Sequence, residues 1–240
     1  MNYIRLPLEK VDNCRDLGGY PTINNKVTKW RKFIRSGNLN IINDKDINFL
    51  KKYGVKTIID LRKENEIMHL DSINLIKKHF KYYNVSLAKY DFKDREMEKI
   101  ISGKKTVGES YYDLIDNYKA VNEIFNIIYE AKGAVLFHCH EGKDRTGIIS
   151  MLLLALCDVC KKDIIANYEV SSANLGYIKR YNKDERLSVF RITSPFYIKT
   201  AMDYIDRKYY SVKVYLNKYC KIEEEKLNSI VEEFLETINV

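Results

Sequence analysis

The sequence predicts an α/β fold in which helices flank a central, mostly parallel sheet and a helical region is added at the C-terminal end. Two apolar runs of strand length, residues 55–61 and 134–137, are typical of strands buried on both faces. Longer segments with apolar residues at helical spacing lie between and after them. At 240 residues the chain can bury a sizeable core, and we expect one domain over residues 1–240.

Near the N-terminus, residues 11–20 read VDNCRDLGGY and end in two glycines, which would turn the chain sharply. Arg15 and Asp16 lie just before this turn and have two interpretations. They either support a functional site from behind or form an ordinary ion pair within a loop. The sequence does not decide between the two.

The first buried strand, residues 55–61, follows a short helix that Gly54 is placed to end. Asp60 and Arg62 lie at its C-terminal end. Open α/β sheets place ligand-binding groups at this end of their strands, which makes both residues candidates for supporting a site. Alternatively, they form a salt bridge that closes the edge of the sheet.

The middle of the chain combines a strand, a polar segment and a helical pattern. Residues 83–87 alternate as in a strand, and the charged segment 89–110 predicts a lid or a helical insertion over the site. After it, residues at helical spacing predict one long amphipathic helix: Tyr111, Leu114, Ile115, Tyr118, Val121, Phe125 and Ile128. Its aromatic residues would then belong to the core, which argues against a platform for stacking nucleic-acid bases.

The C-terminal region, residues 193–240, is predicted to be helical. Helices are expected at residues 163–174 and 194–209, with Pro195 near the first helical position of the second. A last helix is predicted from an apolar face formed by Leu227, Ile230, Val231, Phe234, Leu235 and Ile238.

The segment HCHEGKDRTG, residues 138–147, joins the second buried strand to an apolar helix. A loop that opens a helix leaves several backbone N–H groups pointing into one concavity at the positive end of the helix dipole. Such a concavity binds an oxyanion, and it favours the thiolate of Cys139 over the thiol. Arg145 can offer a bidentate fork to two oxygens of a phosphoryl group. These residues suit attack of sulfur on phosphorus through a cysteinyl-phosphate intermediate.

A buried cysteine is more often only a small apolar residue, so Cys139 also has a plain structural interpretation. However, HCHEGKDRTG resembles the phosphate-binding loop of the cysteine-dependent protein tyrosine phosphatases. It is most similar to the bacterial tyrosine and dual-specificity branch with HCxxGKDRTG, and eight positions match between strand and helix. Residues 13–20, 35–39 and 60–66 also resemble segments of this family, as does the tail, where Tyr210 replaces a frequent glycine.

The resemblance implies a phosphatase-like fold and an enzyme acting on phosphotyrosine, with phosphoserine, phosphothreonine or phosphoinositide as further substrates. Cys139 would be the nucleophile, and Arg145 would hold the phosphoryl oxygens. Thr146 would donate its hydroxyl to the sulfur, and His138 would order the loop. The other substrate-binding residues would be His140, Glu141, Gly142 and Lys143.

The leaving group needs a proton, but the Trp-Pro-Asp sequence that supplies the acid in many tyrosine phosphatases is absent. The only tryptophan is Trp30. Resemblance to the bacterial branch implies that Asp144 is the general acid, with Asp60, Asp91 and Asp94 as alternatives. Lys143 would add a second positive charge at the mouth of the site, which in related phosphatases accompanies phosphoinositide hydrolysis.

Composition constrains the partners only loosely. Lys and Arg number 41 against 33 Asp and Glu, which gives a formal charge of +8 and suits an anionic partner. Many lysines are scattered on helix faces, so a solvated surface is the simpler explanation. We expect a phosphorylated protein or a phospholipid headgroup as partner, and not nucleic acid.

The five cysteines form no disulfide-scaffold pattern, which suits a reducing compartment. Cys157 and Cys160 form a C-x-x-C pair, but no second pair lies near, so packing is the preferred explanation. No apolar run approaches the roughly 20 residues that span a bilayer, and the first ten residues lack the apolar core of a signal peptide. A cytoplasmic protein without stable membrane insertion is expected, with neither metal nor cofactor.

Two other functions compete with a phosphatase. A non-catalytic adaptor would use the same loop to hold phosphorylated ligands, although Cys139, Asp144 and Arg145 are all intact. A sulfurtransferase would also use a loop cysteine, but the Arg-Thr-Gly sequence at the start of the helix favours phosphate.

Overall fold

The computed structural model describes residues 1–88, 94–176 and 188–237. Its main sheet has five strands in the order β1-β3-β6-β4-β5, and a second sheet pairs β2 with β7. The last four strands of the main sheet run parallel, and only the short edge strand β1 is antiparallel to its neighbour. The mostly parallel α/β sheet is therefore confirmed. The strands are β1 Arg15–Asp16, β2 Lys26–Thr28, β3 Phe33–Ser36, β4 Val55–Asp60, β5 Lys81–Asn84, β6 Ala134–His138 and β7 Leu235–Thr237.

Helices cover both faces of the main sheet. Within the described ranges the α-helices are α1 Asp44–Tyr53, α2 Asp71–His79, α3 Asp94–Ile101, α4 Val107–Ser110, α5 Tyr112–Ile115, α6 Tyr118–Glu130, α7 Asp144–Leu156, α8 Lys161–Asn174, α9 Ser188–Arg191, α10 Pro195–Tyr209, α11 Val212–Val214 and α12 Glu224–Phe234. A 3₁₀-helix spans Glu64–Glu66, and a π-helix spans Tyr215–Tyr219. None of them is both long and apolar enough to cross a membrane.

The sheet separates two apolar clusters. On one face, Ile58 and Leu136 pack with residues of α1 and α2. On the other face, Ile59 and Phe137 pack with the larger set of helices, including α6, α7, α10 and α12. Successive strand residues point to opposite faces, so strands covered on both sides need apolar residues at consecutive positions.

Strand β6 lies in the middle of the sheet, and its last residue is aligned with the ends of both neighbours. His138 is in register with Ser36 of β3 and with Asp60 of β4. The chain then passes through residues 139–143 into α7, whose residues 146–154 are all buried. The cysteine loop therefore lies at the C-terminal edge of a parallel sheet, where open α/β folds bind ligands.

Two helix predictions are wrong in detail. The expected long helix from Tyr111 is divided into α5 and α6, and Asp116 at the break accepts hydrogen bonds from three side chains of α10. The last helix ends at Phe234. Leu235 instead begins β7, which pairs with β2, so tertiary pairing overrides the helical periodicity. Ile238, assigned to that helix from sequence, lies outside the described residues.

The segment predicted as a lid or an insertion, residues 89–110, is helical where it is described. It contains α3 and α4, joined by a turn, and residues 89–93 lie outside the described ranges. Ile100 and Val107 are buried in the core. The helical insertion is thus present, and closure of this segment over the site stays a prediction.

Helix α10 is followed by Tyr210, whose φ of +70° lies in the left-handed region that disfavours side chains. Tyr210 is 82% exposed, so its ring gives little packing in return.

We expect Tyr210→Gly to raise the free energy of unfolding by about 1 kcal/mol, because glycine adopts this backbone conformation without strain. In a chain of this size the melting temperature should rise by about 2–4 °C. Thermal unfolding followed by circular dichroism measures the change. Tyr210→Ala is the matched control, since it removes the ring and keeps the strain. An equal rise in both variants would contradict the explanation.

Candidate active site

The loop between β6 and α7 is held from outside by side-chain amides. Asn38 donates both its backbone N–H and its Nδ2 to the His140 carbonyl, each at 2.9 Å. Asn13 donates its Nδ2 to the carbonyls of Glu141, at 2.9 Å, and Gly142, at 3.1 Å. Three consecutive carbonyls of the loop are therefore turned outward.

Arg35, on the neighbouring strand β3, also donates to loop carbonyls from outside the loop. Its Nη2 donates to the Gly142 carbonyl at 2.8 Å and approaches that of Lys143 at 3.4 Å, while its Nη1 donates to Asn167 Oδ1 at 2.6 Å. The side chain is fully buried, and burial lowers the pKa of Arg35 to about 10. It remains a cation at neutral pH, with backbone and amide oxygens as its acceptors.

The outward carbonyls determine where the loop N–H groups point. In a planar trans peptide the C=O and the following N–H point in opposite directions. Because the carbonyls of residues 140–142 face outward, the N–H groups of residues 141–143 face the interior of the loop. The N-terminus of α7 adds the positive end of its dipole at the same place. The arrangement can bind a tetrahedral oxyanion.

Gly142 allows the loop to close against β3. Its φ is +69°, and a Cβ at this position would lie 2.2 Å from the Ser36 carbonyl oxygen. Any other residue would therefore combine backbone strain with a collision against backbone, and the loop could not keep its position beside Arg35.

Arg145 lies in the first turn of α7 and is oriented by Glu66. Its Nη1 and Nη2 donate to the two carboxylate oxygens of Glu66 at 2.6 and 2.9 Å. Burial opposes the charge, but the Glu66 carboxylate and the nearby Cys139 together raise the pKa of Arg145. Each Nη carries two hydrogens, so the guanidinium keeps N–H groups for a second anion.

Asp60, Arg62 and His138 form a buried cluster behind the loop. Asp60 accepts from Arg62 at 2.7 and 2.9 Å, and His138 Nε2 lies 3.5 Å from the same carboxylate. Despite burial, His138 and Arg62 hold the pKa of Asp60 below its usual range. Burial lowers the pKa of His138, and its Nδ1 lies 3.2 Å from the Cys139 carbonyl. Asp60 and Arg62 therefore form a buried salt bridge, and their role in supporting the site stays a prediction.

Arg15 and Asp16 do not form the ion pair that was one interpretation of the sequence, because successive residues of β1 point in opposite directions. Arg15 donates to Asn13, to the Asn167 carbonyl at 2.7 Å and to Ser171 Oγ at 2.8 Å. It thereby fixes the asparagine that holds the loop. Asp16 instead accepts from groups away from the loop: the N–H of Gly18, the N–H of Arg31 and the hydroxyl of Tyr53.

Asp144 and Lys143 lie at the junction of loop and helix. The Asp144 side chain is 36% exposed, and its Oδ1 accepts a hydrogen bond from the Tyr111 hydroxyl. Lys143 also lines the cavity but is almost fully buried: its Nζ binds the Phe190 carbonyl and lies 3.5 Å from Asp144 Oδ2. The hydroxyl of Thr146 is buried and has no hydrogen-bond partner in the described part of the chain.

A cavity of about 590 Å³ opens beside these residues. Apolar and aromatic side chains from the helical insertion and from α5 form part of its wall, and Phe190 and Arg191 of α9 form another part. Cys139 itself is 3% exposed, so the later loop residues form the surface that a ligand meets first. The residues that line the cavity include Met97, Val107, Tyr111, Leu114, Glu141, Lys143, Asp144, Arg145, Phe190 and Arg191.

A model of the tyrosine phosphatase family matches residues 6–236, which is nearly the whole chain. The chain belongs to the tyrosine phosphatase family. A tyrosine-protein phosphatase of Nostoc commune is 35% identical to it over 154 residues, which are 63% of this chain and 51% of that protein. A second curated relative, from Cupriavidus necator, is 28% identical over 168 residues, or 68% of this chain and 61% of that protein. The chain thus spans about half to three fifths of these relatives.

Solved structures similar to this tyrosine phosphatase family member are more distant. The core catalytic domain of the PP-IP phosphatase SIW14 from S. cerevisiae is 17% identical with a TM-score of 0.38, covering 70% of this chain and 90% of that one. P. aeruginosa TpbA is 15% identical with a TM-score of 0.35, covering 64% and 84%.

Sequence reasoning missed several residues that this family member places around its loop. Glu66 had a visible signal, because it completes a pattern with Asp60 and Arg62. Asn13 and Arg35 lay within segments that resembled the family, but nothing local showed that they reach the loop. Tyr111 was assigned to the core only, and its contact with Asp144 had no local signal.

We expect Arg35→Lys to weaken binding of inorganic phosphate or vanadate by about 10- to 100-fold, because a charged hydrogen bond to the loop is lost. Isothermal titration calorimetry measures the affinity. Asn38→Ala removes only one of two donors to its carbonyl, so a smaller loss is expected. Arg207→Lys, on the exposed side of α10, serves as the control. Unchanged affinity in a folded Arg35→Lys protein would show that the loop keeps its shape without this side chain.

Proposed function

We propose that this member of the tyrosine phosphatase family hydrolyses phosphoric monoesters through a cysteinyl-phosphate intermediate, with phosphotyrosine in proteins as its substrate. The observation that carries the proposal is the set of outward carbonyls between Cys139 and α7. These carbonyls support an oxyanion site that directly follows Cys139 and lies beside Arg145. A sulfurtransferase would not need the Arg145 guanidinium, so this residue favours the phosphatase.

In the first step, the Cys139 thiolate attacks phosphorus as the bond to the leaving oxygen breaks. The electron pair of that bond moves to the leaving oxygen, which takes a proton from Asp144. The inward N–H groups and the unused N–H groups of Arg145 stabilise the three other phosphoryl oxygens, where charge redistributes in the transition state. Glu66 holds the guanidinium in the required orientation.

In the second step, water attacks the cysteinyl phosphate. Asp144, now ionised, accepts a proton from the water, the new P–O bond forms, and the S–P bond breaks to return the thiolate. The Thr146 hydroxyl, buried and not used by a described partner, is available to donate to the departing sulfur. Phosphate and the alcohol or phenol are the products.

Asp144 is supported over the alternative acids by its place. It lies on the cavity wall and is partly exposed, whereas Asp60 is fully buried in its salt bridge with Arg62. Asp91 lies outside the described residues, and Asp94 stands at the start of α3. Only a carboxylic acid with access to the cavity can reach a leaving oxygen.

The apolar part of the cavity wall supports an aromatic phosphoester, since Met97, Val107 and Leu114 can contact a phenyl ring. Lys143 gives less support to a phosphoinositide than the sequence suggested, because its ammonium is bound to the Phe190 carbonyl. We therefore propose phosphotyrosine as the substrate. Turnover of lipid phosphates is the comparison that tests this choice.

We expect Cys139→Ser to abolish turnover of p-nitrophenyl phosphate and to retain phosphate binding, because the N–H groups and Arg145 remain. Turnover is followed by absorbance and binding by calorimetry, with Cys160→Ser, an exposed cysteine, as the control. Retained turnover in Cys139→Ser would remove the covalent mechanism. Binding without any turnover in the unaltered protein would favour the adaptor.

We expect Asp144→Asn to slow alkyl phosphates by about 100-fold or more, and activated aryl phosphates much less, because p-nitrophenolate leaves without a proton. The ratio of kcat values for the two substrates is the measurement. An equal slowdown on both substrates would argue against the acid role.

A further inference from the structure

We propose that Tyr111 is a positioning residue that aims the Asp144 carboxyl at the leaving group, and that Tyr168 holds Tyr111 in place. This inference rests on the acid role given to Asp144 under the proposed function. It assigns a role in the reaction to two tyrosines that otherwise belong to the core.

The three side chains form a hydrogen-bonded row from the core to the cavity. The Tyr111 hydroxyl donates to Asp144 Oδ1, and it lies 2.6 Å from the Tyr168 hydroxyl. Their rings meet edge to face with centroids 6.4 Å apart, and both side chains are buried. Asp144 is thus a partly exposed carboxyl anchored from behind by a buried phenol.

Both tyrosines are fixed by the surrounding backbone. Tyr111 lies between α4 and α5, where its N–H donates to the Gly108 carbonyl at 3.2 Å. Tyr168 belongs to α8, and its ring packs on Gly147 of the phosphate loop motif. A Cβ at Gly147 would lie 3.0 Å from Cδ2 of this ring. The last glycine of the motif therefore makes room for the tyrosine pair.

The phenols act as donors throughout the neutral pH range. Burial, together with the neighbouring Asp144 carboxylate, raises the pKa of Tyr111 and that of Tyr168 well above the usual value. Because Tyr111 donates to Oδ1, the other carboxyl oxygen, Oδ2, is the one that can hold the transferable proton. One donor at Oδ1 thus selects both the rotamer and the proton-bearing atom.

Several other groups also face Asp144 in the described part of the chain. Lys143 Nζ lies 3.5 Å from Oδ2, and the remaining charges act through space. These charges are Glu141, Arg35 and Arg145. None of them contributes a hydrogen bond at Oδ1, so the effect of Tyr111 can be separated from theirs by removing a single hydroxyl.

We expect Tyr111→Phe to lower kcat for an alkyl phosphate such as β-glycerophosphate by about 10-fold, and kcat for p-nitrophenyl phosphate by no more than about 2-fold. A purely structural role would slow both substrates alike, so the ratio of the two kcat values is the measurement that separates the two roles.

Tyr168→Phe should lower the alkyl rate in the same direction but less, because Tyr111 keeps its own bond to Asp144. This milder variant also carries the test if Tyr111→Phe proves unstable in a thermal melt. Tyr129→Phe, an exposed tyrosine of α6, is the control and should match the unaltered protein on both substrates. Alkyl rates of Tyr111→Phe and Tyr168→Phe equal to those of the control would overturn the proposal.

The double variant separates this inference from the proposed function. In an Asp144→Asn background, Tyr111→Phe should have no further effect on alkyl phosphates, because no acid remains to be aimed. A full additional 10-fold loss would mean that Tyr111 acts by another route. If Asp144→Asn alone retains alkyl turnover, the acid assignment fails. If Asp144→Asn is impaired but Tyr111→Phe is not, only the positioning role fails.

Discussion

The orientation of the phosphate loop depends on hydrogen bonds from outside it to its carbonyl oxygens. Three side chains donate to these oxygens, and each binds at least one carbonyl. They are Asn13, which precedes β1, Arg35 of β3, and Asn38, which follows β3. The C=O and N–H of one peptide group point in opposite directions. Hydrogen bonds that hold the carbonyl oxygens on the outside of the loop therefore orient the N–H groups toward its interior. The shape of the proposed anion site therefore depends on residues outside the loop.

How much of this could be predicted from the sequence depends on the range of the interaction. The sheet class and the strand–loop–helix unit were predictable, because apolar runs and the contiguous HCHEGKDRTG segment carry them locally. The bond from Tyr111 to Asp144 joins residues 33 positions apart, and that from Arg35 to Gly142 joins residues 107 apart. No periodicity or propensity encodes such pairs. The contact between Lys143 and the Phe190 carbonyl had no local signal for the same reason, since Phe190 comes from a distant helix.

The wrong helix assignments show the same limit in the scaffold. An apolar stripe through Tyr118 gave no sign of a break, because the group that stabilises the break, Asp116, finds its donors on α10. Likewise, Leu235 has helical spacing with its predecessors, yet its backbone pairs with β2 more than 200 residues earlier. In both places the apolar residues do recur at helical spacing. A hydrogen-bonded contact with a segment far away in the sequence nevertheless ends the helix.

Arg15 and Arg35 are both fully buried, and within the described residues neither has a carboxylate in salt-bridge range. Their charge is met instead by hydroxyl, carbonyl and amide oxygens, and two of these, the carbonyls of Gly142 and Lys143, belong to the loop and bind Arg35. Distorting the loop would take these two acceptors from a buried cation, so the shape of the proposed site and the stability of the folded chain are linked. Cys139 takes part in the same balance, because a thiolate at its sulfur favours the charged form of Arg35. A variant that loses this sulfur would therefore also lose part of what stabilises the buried guanidinium.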